Sequence, residues 1–120
     1  MTVRPHKNLL AWKEAIQLVK DLYLLCDRLP ESEKFGLVSQ LKRASVSIPT
    51  NIAEGAARST DKEFAYFLSI ANGSLSEIDT LITIGIELNY LTPKNLSLVL
   101  EKIEKVGALI NGLIKSLKNK

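Results

Sequence analysis

The chain has 120 residues, of which 46% are hydrophobic, and a formal net charge of +3. This length fits one domain that buries roughly two thirds of its unfolded surface, and no apolar run reaches the roughly 18 residues that a membrane span needs. The single cysteine, Cys26, excludes an internal disulfide and any CxxC metal or redox motif, so we expect a cytoplasmic protein.

The positive charge lies at the two ends of the chain. Residues 8–104 hold ten bases and thirteen acids, whereas residues 1–7 and 105–120 together hold six bases and no acid. Basic ends can contact phosphate, but they also favour solubility and complement the negative end of a last helix. Both interpretations stay open, and we expect residues 1–7 and 118–120 to be flexible.

Two apolar stripes predict the first helix. Six residues recur at alternating spacings of three and four: Leu9, Trp12, Ile16, Val19, Tyr23 and Cys26. A second stripe lies beside them: Ala15, Leu18, Leu22, Leu25 and Leu29. Together they give a wide apolar face, which is typical of a helix that packs on more than one neighbour. Pro30 ends this helix or begins the next element.

The second helix is predicted from a seam of buried positions: Leu37 or Val38, then Leu41, Ala44, Ile48 and Ile52. Pro49 interrupts this seam. A proline disfavours the α conformation at Ile48 and removes the hydrogen bond that would reach the carbonyl of Ser45. We therefore expect a kink or a short break at Pro49, with the helix resuming over residues 50–54 and ending near Gly55.

Helices three and four each begin with a capping signal. Thr60 and Glu63 form a capping-box pattern, in which a hydroxyl and a carboxylate each satisfy an orphan amide, and Thr92-Pro93 predicts the start of the fourth helix. The predicted seam of the third helix is Phe64, Leu68, Ala71, Leu75, Ile78, Ile82 and Gly85. The predicted seam of the fourth is Leu96, Val99, Ile103, Val106, Ile110, Leu113 and Leu117.

Four helices with short connections predict an all-α fold with a single domain over residues 1–120. The expected architecture is an antiparallel up-down-up-down four-helix bundle. Helix one is apolar over a broad arc, and helix four has extra apolar residues beside its seam: Leu98, Leu100, Leu109 and Ile114. Surplus apolar surface on a small protein usually marks a partner interface, so we expect a homo-oligomer.

Seven polar residues occur between the apolar positions of helices two and three, around the Pro49 interruption and the helix junction: Gln40, Arg43, Asn51, Glu54, Arg58, Glu63 and Glu77. A helix pair that only had to fold could be built from leucine, alanine and surface charges. The pattern therefore indicates a buried polar network or a binding surface. If Glu54 is a buried pair member, its replacement by alanine should cost a few kcal/mol, because its partner charge is left unpaired.

Three motifs carry a family resemblance. The first, LxxWKxA, is matched by Leu9, Trp12, Lys13 and Ala15. The second, FGLxxQLRRAxxSIPxNIAEG, is matched from Phe35 to Gly55, with Lys42 as the one departure, which keeps the charge. The third, RxxxxEFxxFLxIAxGSLxE, is matched from Arg58 to Glu77, and a late Leu-x-Tyr-Leu pattern follows at Leu88, Tyr90 and Leu91. Over about residues 9–91 the chain resembles the four-helix bundle family found in bacterial 23S rRNA intervening sequences.

This resemblance implies a fold, a homo-oligomer and a genomic context rather than a reaction. Members of the family form ring-like pentamers, so the first implied partner is the chain itself. A related branch serves as the accessory protein of diversity-generating retroelements, where a more basic pentamer partners a reverse transcriptase and RNA. For this chain, association with RNA or with a protein partner is implied by analogy.

An enzymatic alternative would need groups that this sequence supplies only in part. Di-iron bundles use Glu and Glu-x-x-His pairs, whereas the one histidine, His6, precedes the predicted helices. Three carboxylates could still hold a hard cation in a metal-dependent enzyme: Glu54, Glu63 and Glu77. Arg43 and Arg58 are available to pair with these carboxylates instead.

Other candidate nucleophiles are better explained by structure. Cys26 is in register with an apolar stripe, and Ser74 follows Gly73 on a helix without a histidine base. We expect Gly73 to let another helix approach closely, and Trp12 to be a core or interface anchor. There is no phosphate-binding loop. We therefore expect a protein without a cofactor that binds rather than catalyses.

Overall fold

The structure, a computed structural model, describes residues 4–119. Its α-helices are α1 (Leu10–Cys26), α2 (Leu37–Ala56), α3 (Asp61–Glu87) and α4 (Ser97–Lys118). Short 3-10 turns precede α1, α2 and α4 at Pro5–Asn8, Glu31–Glu33 and Pro93–Leu96. Residues 4–119 contain no strand, so the all-α prediction is confirmed for them. Within the same range, no helix is long and apolar enough to cross a membrane.

The helices pack in a closed order around one apolar core. α1 contacts α2 and α4, and α3 contacts the same two helices. Fully buried side chains come from every helix: Leu18, Leu22, Leu41, Ile48, Ile52, Leu68, Ile78, Ile82, Val106 and Ile110. On α1 the core is formed mainly by the second of the two predicted stripes, together with Ala11 and with Cys26 from the first stripe.

α2 and α3 come very close to each other near their junction. A Cβ atom added to Gly55 would lie 2.9 Å from Cδ1 of Phe64 and 2.9 Å from Cβ of Phe67. The guanidinium of Arg58 lies 4.8 Å from the centroid of the Phe67 ring, a cation–π contact. Because glycine has no side chain, the backbone of α2 at Gly55 can pack directly against the side chains of Phe64 and Phe67 on α3.

α2 continues through Pro49 without interruption, so the short break is not observed. Two side chains bond to the backbone beside the proline. Oγ1 of Thr50 donates to the carbonyl oxygen of Val46 at 2.7 Å, and Nδ2 of Asn51 donates to that of Ser47 at 2.8 Å. Neither bond replaces the one that Pro49 removes, which would reach the carbonyl of Ser45, and hydroxyl bonds of this i−4 kind often bend a helix. A kink of the helix axis at Pro49 stays a prediction.

The two capping predictions have different outcomes. Oγ1 of Thr60 accepts a hydrogen bond from the backbone N–H of Glu63 at 3.1 Å, which confirms the hydroxyl half of the capping box of α3. The carboxylate of Glu63 accepts a hydrogen bond from the hydroxyl of Thr60 rather than from an orphan amide. The predicted start of the fourth helix at Thr92-Pro93 is wrong, because these residues begin a 3-10 turn and α4 begins at Ser97. A proline that fits the first turn of an α-helix fits a 3-10 turn equally well.

A cap on α2 was not predicted from the sequence. One carboxylate oxygen of Glu33 accepts a hydrogen bond from the backbone N–H of Leu37 at 3.1 Å. The other oxygen accepts one from the hydroxyl of Tyr90 at 3.4 Å. A carboxylate at a helix N-terminus satisfies an orphan amide and complements the helix dipole. Glu33 therefore links the start of α2 to the segment that follows α3.

The turn before α1 packs on the helices. Pro5–Asn8 contacts α1 and α2, and the rings of His6 and Trp12 lie 5.0 Å apart in an edge-to-face arrangement. The flexibility predicted for the two chain ends stays a prediction. Residues 1–3 and 120 lie outside the range that the structure describes.

Replacing Gly55 by alanine should destabilise the fold. The added methyl group would meet Phe64 and Phe67 at a cost of about 1–3 kcal/mol, which outweighs the gain in helix propensity of about 1 kcal/mol. Gly112→Ala is the matched control, because a Cβ atom there meets nothing within 4 Å. Urea unfolding of both variants at one protein concentration measures the change. A free energy of unfolding unchanged by Gly55→Ala would contradict the close approach of the helices.

Candidate functional site

An apolar groove lies between α1 and α2. Its volume is about 790 Å³. The residues that line it define the α1–α2 groove: Trp12, Ile16, Val19, Val46, Pro49, Thr50, Ala53, Glu54, Ala57 and Arg58. The α1 wall is formed by three residues of the first apolar stripe, Trp12, Ile16 and Val19, so the wide apolar face of this helix serves the core on one side and the groove on the other.

The groove is open to water in a single chain. Ile16 is 39% exposed and Val46 is 42% exposed. Ala53 and Ala57 give the α2 wall small side chains, which leave room for a partner to approach closely. Open apolar surface of this kind is typical of a binding site.

The rim of the groove is basic. Lys13, Lys20 and Arg43 are exposed and lie beside groove residues on their helices. Glu14 of α1 instead faces α4, where its carboxylate accepts a hydrogen bond from Nζ of Lys105 at 3.1 Å. That hydrogen bond and the charge of Lys105 lower the pKa of Glu14. The negative charge of Glu14 is therefore balanced by lysine on the far side of α1, and it does not offset the bases at the rim of the groove.

Glu54 and Arg58 form an exposed ion pair at the edge of the groove. Nη2 of Arg58 lies 2.8 Å from Oε2 of Glu54, and the two side chains are 44% and 49% exposed. The pair joins positions i and i+4 of one helical segment, a geometry that contributes a few tenths of a kcal/mol. Glu54 is thus not a buried pair member, and the large cost predicted for that case is not expected.

The other charged residues of the predicted cluster do not join this pair in one network. Glu63 belongs to the cap of α3, where its carboxylate accepts a hydrogen bond from the hydroxyl of Thr60 at 3.0 Å. Gln40, Arg43 and Glu77 are exposed, and among residues 4–119 their side chains have no hydrogen bond or ion pair. These three side chains are therefore available at the surface.

The polar contact that joins α2 to α3 is neutral. The hydroxyl oxygens of Ser47 and Ser74 lie 2.8 Å apart, and Nδ2 of Asn51 donates to Oγ of Ser47 at 3.0 Å. Of this trio only Asn51 was among the predicted site residues. The sequence did hold a signal for Ser47: it lies four residues before Asn51 and eight before Gly55, so all three share the side of α2 that faces α3.

Exposed apolar side chains are distributed differently from the prediction. Among the four surplus residues predicted on the last helix, Leu98 is 76% exposed, whereas the other three pack partly against the core: Leu100, Leu109 and Ile114. α3 adds exposed apolar residues that the sequence did not single out: Tyr66, Ile70 and Ile84. The open apolar surface therefore lies mainly on α1, α2 and α3.

The described parts of both basic chain ends lie at one end of the molecule. Lys118 of α4 lines a small pocket with Asp61 and Lys62 of α3, and Leu9 and Leu10 at the start of α1 line another pocket with Leu113 of α4. The basic end, defined as residues 4–9, 57–63 and 114–119, holds six bases and two acids.

The opposite end of the molecule lacks this excess of bases. Residues 27–36 and 87–96 together hold three bases and four acids. The sequence places bases near both termini, and the fold brings residues 4–9 and 114–119 to the same end of the molecule.

Two candidate catalytic features of the sequence, a carboxylate metal site and Cys26, can be compared with the structure. Within residues 4–119, no group of three or more His, Cys, Asp or Glu side chains is placed to hold a metal ion. Cys26 is buried in the core, as predicted, and burial raises the pKa of its thiol, which keeps it in the unreactive protonated form.

Double-mutant cycles should show that the neutral contact contributes more to stability than the charged pair. Ser47→Ala and Ser74→Ala should couple by about 1 kcal/mol, because their hydrogen bond crosses between helices in a partly buried position. Glu54→Ala and Arg58→Ala should couple by less than about 0.5 kcal/mol. Denaturant unfolding of the four single and two double variants gives both values. A larger coupling for the charged pair would contradict this assignment.

Comparison with known proteins agrees with the motifs. A family profile described as 23S rRNA-intervening sequence protein matches residues 7–112, from the turn before α1 into α4. No curated protein matches the chain. The matched range includes every residue of the α1–α2 groove. The chain belongs to the family of 23S rRNA-intervening sequence proteins.

Proposed function

We propose that the protein is a non-enzymatic, homo-oligomeric assembly protein that acts by binding in the cytoplasm, with five copies as the resemblance to ring-forming proteins implies. The observation that carries this proposal is the α1–α2 groove, an apolar surface that one chain leaves open beside a basic rim. Covering such a surface is favourable by about 25 cal/mol per Å² of apolar area. A second copy is always available at the concentration of the protein itself.

The proposal includes an up-down-up-down order of the helices. Pairs of neighbouring helices support it, because a late residue of one helix meets an early residue of the next. Nζ of Lys42 lies 4.9 Å from the ring centroid of Tyr23 at the end of α1. Gly55 meets Phe64 between α2 and α3, as described above. Short connections between antiparallel neighbours are the usual arrangement for such helices.

RNA is the proposed external partner, through the basic end. Six bases and two acids give this end a positive field, which attracts phosphate without regard to sequence. The name of the matching family refers to 23S rRNA. In a ring, the basic ends of all copies are equivalent by symmetry, so weak contacts by each copy add up through avidity.

The alternative of a metal-dependent enzyme that uses Glu54, Glu63 and Glu77 has less support. Glu54 is paired with Arg58, and Glu63 serves the cap of α3. None of the three belongs to a metal-binding group among the described residues. The geometry therefore favours a binding protein over this enzyme.

Light scattering tests the oligomer. At micromolar concentration the mass should be a multiple of the 13.3 kDa of one chain, and five times that value for a pentamer. The physical reason is the open apolar surface, which a monomer would expose to water. A mass of 13.3 kDa at this concentration would contradict the proposal.

Matched charge variants test the RNA partner. A triple variant of the basic end, Lys62→Gln, Lys115→Gln and Lys118→Gln, should lose most RNA retention on a filter at about 50 mM salt, where phosphate contacts are strong. The slope of the logarithm of the RNA-binding constant against the logarithm of the salt concentration should also become less steep by about 2.

The control for this experiment removes the same charge from the opposite end: Arg28→Gln, Lys34→Gln and Lys94→Gln. It should retain RNA like the unmodified protein. Equal losses from the two triple variants would contradict a site at the basic end. If the unmodified protein shows no salt-sensitive retention, RNA is not the partner.

A further inference from the structure

α3 carries an exposed stripe on its outer side. Its members recur at spacings of three and four and are named the α3 stripe: Glu63, Tyr66, Ile70, Gly73, Glu77, Thr80 and Ile84. Tyr66 is 63% exposed and Ile70 is 37% exposed. The stripe is therefore a second exposed surface with apolar positions, at Tyr66, Ile70 and Ile84, and it is separate from the α1–α2 groove.

We propose that the α3 stripe of one copy docks into the α1–α2 groove of the next copy. This inference rests on the proposed homo-oligomer and names the two surfaces that form it. The contact is a helix laid into a groove, in which residues spaced by three and four act as anchors. Tyr66 and Ile70 are the apolar anchors of this helix.

The α3 stripe is long enough to cover the groove. The α2 wall of the groove extends from Val46 to Ala57, which is about 16 Å at 1.5 Å per helical residue. The part of the stripe from Tyr66 to Glu77 spans the same number of residues and hence the same length. A segment of α3 of this length can therefore lie along the whole α2 wall.

The two surfaces also have opposite charge. α3 contains five acids and one base, and Glu63 and Glu77 lie on the stripe. The rim of the groove carries Lys13, Lys20 and Arg43, as described above. Complementary charges around an apolar contact steer association and fix its register. The apolar lining of the groove favours a helix of this kind over RNA, which would share only the negative charge.

Gly73 gains a role in this contact. A Cβ atom on Gly73 would meet nothing within 4 Å, so the helix approach predicted for this glycine is not made within the described chain. A glycine inside a helix costs about 1 kcal/mol relative to alanine. At the centre of the stripe, its missing side chain lets the groove wall come close to the backbone of α3.

Because groove and stripe are different surfaces, the contact is head-to-tail. Each copy offers one groove and one stripe, and repetition of the contact closes into a ring when the rotation between copies allows it. A copy with a damaged groove keeps its stripe, and a copy with a damaged stripe keeps its groove. Two such copies can make one contact and no more.

Mixing two such variants tests the proposal. Val46→Arg places a charge in the groove, and Ile70→Arg places one in the stripe; both side chains are partly exposed in a single chain, so the fold should tolerate the changes. Each variant alone should have the light-scattering mass of one chain. Their equimolar mixture should give a dimer of one copy of each.

Leu98→Arg is the control, because Leu98 is exposed on α4, outside both surfaces. It should keep the mass of the unmodified assembly. Circular dichroism checks that each variant is helical. If a first variant fails to fold, Thr50→Arg replaces it in the groove and Tyr66→Arg replaces it in the stripe.

The outcomes separate this inference from the proposed function. An unmodified protein that is monomeric contradicts the homo-oligomer itself. If the unmodified protein assembles and stripe variants still assemble, another segment occupies the groove and the inference is wrong. If both variants dissociate but their mixture stays monomeric, the contact is not head-to-tail between these surfaces and the inference is also wrong.

Discussion

The close packing of α2 against α3 is the constraint on which the rest of the structure depends. Phe64 and Phe67 lie against the backbone of α2 because Gly55 has no side chain, and the contact between Ser47 and Ser74 holds the same helices further along. With one side of α2 committed to α3, the other side faces α1. Its small residues leave the space between α1 and α2 incompletely filled, and this space is the groove.

The polar residues of the family motifs divide according to the cost of burial. Neutral Ser47, Asn51 and Ser74 can be partly buried, because each finds a hydrogen-bond partner nearby. Charged side chains such as Arg43 and Glu77 would lose far more free energy on burial, and both are exposed. The three neutral side chains therefore help to join α2 to α3 within one chain. The charged side chains remain at the surface.

Local patterns made most of the fold predictable. The four helices, their seams and the Thr60 cap depend on residues close in sequence, so periodicity and capping rules suffice. The late start of α4 was missed because Pro93 suits two kinds of helix, and the Glu33 cap depends on Tyr90, far away in sequence. The candidate site was only partly predictable: the sequence showed two apolar stripes on α1 but not which would face the core and which, with Trp12, would line a groove.

The fluorescence of Trp12 tests the central claim that the groove is covered in the assembled protein. Trp12 is the only tryptophan of the chain and lines the groove, so its emission reports on water there without a label. Dilution should shift the emission to longer wavelength over the same concentrations at which the light-scattering mass falls. An emission maximum that stays constant while the assembly dissociates would show that the groove lies outside the subunit contact and would contradict the account.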